Sequence, residues 1–76
     1  MTWVYETKTD AEGTTASVEQ NKYESCITLC IYDNCGRTIK HDTYLTRENA
    51  RRAADRYFKN YGVEPIGKWE RTDYAK

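Results

Sequence analysis

The residue types best suited to metal binding or nucleophilic chemistry are three cysteines and one histidine, spaced Cys26-x3-Cys30-x4-Cys35-x5-His41. Three thiolates and an imidazole form a legitimate tetrahedral zinc set. A thiol within hydrogen-bond reach of an imidazole makes a nucleophile pair. Strand geometry argues against the metal. Cys26 and Cys30 lie four residues apart in a strand-like stretch, roughly 13 Å at about 3.3 Å per residue, farther than two ligands of one ion can span. The carboxylates are scattered, no glycine-rich phosphate loop exists, and a single His supports no Ser, His and Asp set. No metal, cofactor or catalytic residue is expected.

Whether the thiols meet the imidazole depends on the elements that carry them. From Ser25 to Asp33, Ile27, Leu29 and Ile31 alternate with Cys26, Thr28, Cys30 and Tyr32, the period of a strand. Asp33-Asn34-Cys35-Gly36-Arg37 reads as a hairpin with a three-residue loop and Gly36 in the left-handed region. That loop pairs Ile31 with Ile39, Leu29 with His41, Ile27 with Thr43 and Ser25 with Leu45. The inner face is then Ile27, Leu29, Ile31, Ile39, His41, Thr43 and Leu45, and Cys26, Cys30, Tyr32, Lys40, Asp42 and Tyr44 point outward. His41 is expected half-buried and hydrogen-bonded, on the opposite side of the sheet from Cys30.

Trp3 to Lys8 favours a strand and Asp10-Ala11-Glu12-Gly13 a turn. Thr14 to Gln20 has thin apolar content and reads as a ragged edge or loop. Thr46 is a good N-cap, with Asn49 completing a weak capping box. The helix runs to Tyr61, with Ala50, Ala53, Ala54, Tyr57, Phe58 and Tyr61 as the stripe facing the sheet. Gly62 suits a left-handed C-cap, and Pro65 stops the helix from resuming. Ile66 to Tyr74 either adds a short edge strand or lies against the sheet. The fold class is α+β: an antiparallel sheet of three to four strands with one helix packed on one face, in the order β-β-β-α with a C-terminal strand left open.

Seventy-six residues point to one domain. A hydrophobic fraction of 38%, a charged fraction of 32% and a mean hydropathy of -0.98 leave no bilayer-spanning segment and no membrane partner. Met1 to Glu6 lacks a basic n-region and an apolar run, so a cytoplasmic location and free thiols are expected. Twelve basic and twelve acidic residues cancel, whereas nucleic-acid binders usually carry a basic surplus. The charge is uneven along the chain. Residues 1–33 hold six acidic and two basic side chains, and residues 34–76 hold six acidic and ten basic.

Two surfaces follow from this layout. The helix exposes Arg47, Arg51, Arg52, Arg56 and Lys59, able to grip phosphate or an acidic protein, or else to pair locally with Glu48 and Asp55. The sheet face away from the helix, with Tyr32 and Tyr44, is either an interaction patch, for another protein or a second copy, or is covered by a terminal segment.

Two strands joined by Asp33-Asn34-Cys35-Gly36, then Tyr44-x-Thr46 and Glu48-x-Ala50-x2-Ala53-Ala54, form a run that covers about half the chain. It resembles the three-stranded-sheet-plus-helix DNA-binding module of phage-type integrases and plant ethylene-response factors. The resemblance implies a sheet face that enters DNA, with Arg37, Lys40 and the helix arginines as contacts. Where that family places Arg, Lys and Trp on the face, this chain has Thr28, Thr38, Asp42 and cysteines, with Lys40 as the cation. The overall profile, a small near-neutral α+β domain with free thiols and no catalytic set, is similar in type to small phage-encoded inhibitors such as anti-CRISPR proteins.

By exclusion of chemistry, the expected function is non-enzymatic binding to another protein or complex, occluding a nucleic-acid-binding site on a host or defence complex. Glu6, Asp10, Glu12, Glu19, Glu24 and Asp33 would mimic phosphate, beside Tyr32 and Tyr44. The alternative is nucleic-acid binding through Arg37, Lys40, Arg47, Arg51, Arg52, Arg56 and Lys59.

Overall fold

Alternating side chains and one amphipathic stripe produce a five-stranded antiparallel sheet and a helix. The computed structural model describes the backbone of residues 2–21 and 26–75 and the side chains of residues 6–20 and 26–72. In chain order the elements are β1 (Thr2–Thr9), β2 (Thr15–Asn21), β3 (Ile27–Tyr32), β4 (Thr38–Tyr44), α1 (Arg47–Tyr61) and β5 (Glu70–Ala75). The sheet order is β4-β3-β2-β1-β5. The α+β class and the C-terminal strand are as expected, with five strands in place of three or four.

The segment read as a ragged edge is the central strand β2. Its inward positions, Ala16 and Val18, are fully buried, with Ile31 and Leu29 opposite on β3. They join Ile27, Ala50, Ala54 and Phe58 in the core. Alanines at 16, 50 and 54 let α1 sit close to the sheet, mainly over β3 with β2 and β4 to either side. The large core side chains then contribute roughly 1.5 to 3 kcal/mol each by leaving water.

The β3–β4 loop has the expected form. Gly36 takes φ 84°, its N–H donates to Asp33 C=O at 3.0 Å, and Asp33 N–H donates to Arg37 C=O at 2.9 Å. The register beyond it differs. Tyr32 pairs with Thr38, but Ile31 pairs with Lys40, so a bulge leaves Ile39 without a partner. Every later residue of β4 changes face. Lys40, Asp42 and Tyr44 lie opposite Ile31, Leu29 and Ile27 on the helix side, and His41 and Thr43 lie opposite Cys30 and Thr28 on the other. Ile39 is 48% exposed and Leu45 84% exposed. The reason is that β4 is an edge strand. Lys40 and Asp42 reach solvent past the rim of the helix and pair at 2.9 Å, while Tyr44 packs on the core with more area than Thr43 would bring. The pairing of Ser25 with Leu45 lies outside the described residues.

Thr46 caps the helix by accepting from the Asn49 N–H at 3.1 Å. Ala50, Ala54 and Phe58 are its buried residues, Ala53 and Tyr57 flank them, and Tyr61 is 73% exposed. Gly62 is extended, with φ -72° and ψ 157°, and is not the expected left-handed cap. Its N–H donates to Phe58 C=O at 2.8 Å, and a Cβ there would meet that oxygen at 2.5 Å and Ile66 Cδ1 at 2.9 Å. Space, not backbone sign, requires glycine.

Candidate functional site

Of the six acidic candidates, three are committed to internal bonds. Glu6 lies on the helix side of β1, where Arg51 Nη1 reaches across to donate to Oε1 at 2.8 Å and Oε2 at 2.7 Å. Asp10 is buried at the β1–β2 turn. Its Oδ1 accepts from the N–H of Glu12 at 2.9 Å and of Thr14 at 3.0 Å, and its Oδ2 from Val63 N–H at 3.0 Å. Burial alone would raise its pKa; the N–H groups of Val63, Thr14, Glu12 and Gly13 outweigh that and hold it below the ordinary 3.8. Asp33 Oδ1 accepts from Cys35 and Arg37 N–H, each at 2.9 Å, and closes the hairpin. Glu12 is exposed, Glu19 is half-buried and accepts from Ser17 Oγ at 3.3 Å, and Glu24 lies outside the described residues. Asp and Glu at turns and under helices do such structural work often, and no spacing rule separates them from a docking set.

The basic candidates divide likewise. Arg51 is held by Glu6, Arg52 by Glu48 at 2.7 Å, and Lys40 by Asp42. The Asp42 carboxylate, by its hydrogen bond and its charge, raises the Lys40 pKa above its ordinary 10.5. Arg47 is half-buried, and its Nη1 has no hydrogen-bond partner among the described residues. Arg37, Arg56 and Lys59 are exposed.

Tyr32 keeps its predicted side of the sheet, and Tyr44 is on the helix side against the core. His41 is exposed and shares the open face with Cys30, which corrects both its expected burial and its separation from the thiol. Cys26, Cys30 and Cys35 are free, with Cys30 buried. No hydrogen bond among the described residues joins the Cys30 sulfur to His41, and no group of three potential metal-binding side chains occurs among them. The geometry brings the two residues side by side without forming an activated pair.

The open face has a defined composition. One row crosses all five strands as His41, Cys30, Ser17, Thr7 and Glu70, by consecutive register partners. Beside it lie Thr43, Thr28 and Glu19 on one side and Tyr32 and Thr15 on the other. Alternation places Lys8, Lys40 and Arg71 with the helix-side residues Ala16, Ile31 and Glu6, Arg37 lies in the β3–β4 loop, and Lys68, just before β5, lines a shallow pocket with the open-face residues Thr7 and Glu70. Among the described strand residues, then, this face holds carboxylates and hydroxyls and no Lys or Arg, with Lys68 at its β5 border. The charge asymmetry runs through the thickness of the molecule as well as along its chain.

A clasp that spacing did not reveal lies at the middle of the helix. Lys8 Nζ meets Asp55 Oδ1 at 2.7 Å, Trp69 Nε1 donates to the same oxygen at 3.2 Å, and Lys8 sits 5.6 Å from the Trp69 ring centre. It joins β1, α1 and the approach to β5 beside a cavity of about 340 Å3 lined partly by Phe58, Lys59 and Ile66. Residues 47 sequence positions apart leave no local signal. Among the described residues no helix is long and apolar enough to cross a membrane. No family model, curated protein or solved structure matches the chain.

Proposed function

We propose that this chain is a non-enzymatic protein-binding module that docks its open sheet face on a basic surface of another protein and so occludes a nucleic-acid-binding site. One observation carries the reading: no described strand residue on that face is Lys or Arg, and Lys68 is confined to its β5 border, while Glu19, Glu70 and a field of Thr and Ser hydroxyls occupy it. Such a face offers arginine and lysine the acceptors that phosphate would otherwise supply. Glu12, exposed on the adjoining turn, extends the acidic field that steers a basic partner in. Five strands give the face a width of roughly 19 Å between its outer strands, at about 4.8 Å per spacing. On this reading the protein acts in the cytoplasm as a small inhibitor of a host or defence complex, the anti-CRISPR type.

The test is capture from lysate of the native host on the immobilised protein, followed by elution with random-sequence duplex DNA. The expected result is a nucleic-acid-binding protein that DNA displaces and that a Thr43→Arg/Thr72→Arg variant no longer retains, since Thr72, two residues beyond Glu70 on β5, shares the open face with Thr43 and the variant adds two cations there. Equal retention by the variant overturns the reading. Retention of the wild type itself on DNA at low salt would overturn it too, in favour of nucleic-acid binding.

A further inference from the structure

Strand β4 ends the sheet, and its backbone alternation decides which groups its outer edge presents. Asp33 N–H donates to Arg37 C=O at the loop. Counting onward through the bulge, Lys40, Asp42 and Tyr44 bond toward β3, and the N–H and C=O groups of His41 and Thr43 point away from the sheet. An edge of this kind is a template for another strand.

We propose that the strand it takes is β4 of a second copy of this chain, antiparallel, about a two-fold axis through His41. The charge pattern selects this centre. Centring the pair on His41 sets Lys40 of each copy opposite Asp42 of the other. Centring it on residue 40 or 42 would oppose two ammonium groups or two carboxylates, which disfavours pairing. The same centre lets the two His41 residues exchange their outward backbone bonds. It leaves Lys40 and Asp42 at the closer, non-hydrogen-bonded positions, where opposite Cα atoms are about 4.5 Å apart. The two side chains already touch within one copy and are 39% and 46% exposed, so trading partners across the axis requires little new desolvation.

The flanks fit as well. Ile39, Leu45 and Tyr61 are exposed large apolar side chains, and pairing brings Ile39 opposite Thr43 of the second copy. Between α1 and β4 lies a cavity of about 200 Å3 lined in part by Lys40, Tyr44, Arg56, Tyr57 and Tyr61. With α1 over β3, joining two edges sets the helix axes roughly 14 Å apart at about 4.8 Å per strand. That gap is wider than direct helix contact, and tyrosines from both copies are of the size to fill it. The open face remains clear and becomes ten strands wide. The pairing therefore goes beyond the docking reading and does not depend on it.

Light scattering after size exclusion tests the pairing. Wild type is expected at the mass of two 8.9 kDa chains, dissociating on dilution. Lys40→Asp and Asp42→Lys are each expected as single chains with unchanged circular dichroism, because each alone opposes like charges. Mixing these two variants in equal amounts restores the double mass, since every new charge then meets its opposite. Wild type at single-chain mass up to about 1 mM would overturn the proposal. So would a double mass that Lys40→Asp leaves intact, or a mixture that stays dissociated.

Discussion

His41 stands directly across from Cys30 in the β3–β4 ladder, on the sheet face that the helix does not cover. The imidazole is exposed and the thiol is 7% exposed. Directly opposed side chains in antiparallel strands lie within contact range, so the pairing shields the sulfur along with Ser17 in the same row and Tyr32 beside it. A shielded thiol on an open face is a packing element with a small apolar surface.

Thiol labelling follows from that shielding. Under native conditions Cys26 and Cys35, both exposed, are expected to react quickly with a disulfide reagent, and Cys30 only after denaturant is added. Cys30→Ser should remove the slow class alone. Three fast thiols in the native protein would contradict the packing.

The ion pair between β1 and α1 has an asymmetric cost. Glu6 has a side-chain exposure of 9% and Arg51 of 35%. Arg51→Ala strands a carboxylate in the interface, whereas Glu6→Gln leaves a neutral amide beside a cation that reaches water. Discounting the buried-pair range for the partial exposure of Arg51, Arg51→Ala should cost about 2 to 3 kcal/mol and Glu6→Gln about 1. Urea titrations of both variants would reveal the order; equal costs would mean the pair is worth no more than a surface bridge.

Asp10 makes stability depend on acid. Its folded pKa lies below the ordinary 3.8 because backbone donors outweigh the effect of burial. A depressed carboxylate contributes fully above its unfolded pKa, and that contribution is lost as pH falls through the folded value. Asp10→Asn should therefore cost about 1 to 2 kcal/mol at neutral pH, and the gap to wild type should shrink as the pH drops below about 4. A gap that stays constant down to pH 2 would show that the charge plays no part.

Two glycines separate strain from crowding. At Gly36 no atom lies within 4 Å of the place an added methyl group would take, but φ is 84°. Gly36→Ala should thus cost about 1 kcal/mol, the usual left-handed penalty. At Gly62 the backbone is ordinary and the space is filled, so Gly62→Ala should cost about 2 to 3 kcal/mol through displacement of Phe58 and Ile66. Thermal melts giving the reverse order would mean the helix end relaxes freely.

Local chemistry in the chain made part of this fold legible. Thr46, Asp33 with Gly36, and the alanine stripe each carry their reason within a few residues, and each element stands where they place it. What was not legible depended on distant context. Ala16 and Val18 suffice for a central strand only because a helix rich in alanine lies over them and strands flank both sides. The commitment of Glu6 to Arg51 and of Asp10 to Val63 joins residues on separate elements. The bulge after Thr38 had no marker, since an in-register hairpin satisfies the isoleucine pattern equally well until the edge position of β4 is known.

That bulge makes the sharpest prediction about the hairpin. An unbroken ladder would bury Ile39 against Ile31 and place Leu45 on the same inner face. The observed register leaves Ile39 48% and Leu45 84% exposed while Ile31 is fully buried. Ile31→Ala should cost about 2 to 4 kcal/mol through lost transfer energy and the cavity it opens. Ile39→Thr and Leu45→Ser should each stay within about 0.5 kcal/mol of wild type in dilute solution, as surface changes do. Urea midpoints at a concentration low enough to keep single chains isolate this intrachain effect from any pairing of edges. A cost for Ile39→Thr approaching that of Ile31→Ala would restore the unbroken ladder, return His41 to the helix side, and separate it from Cys30.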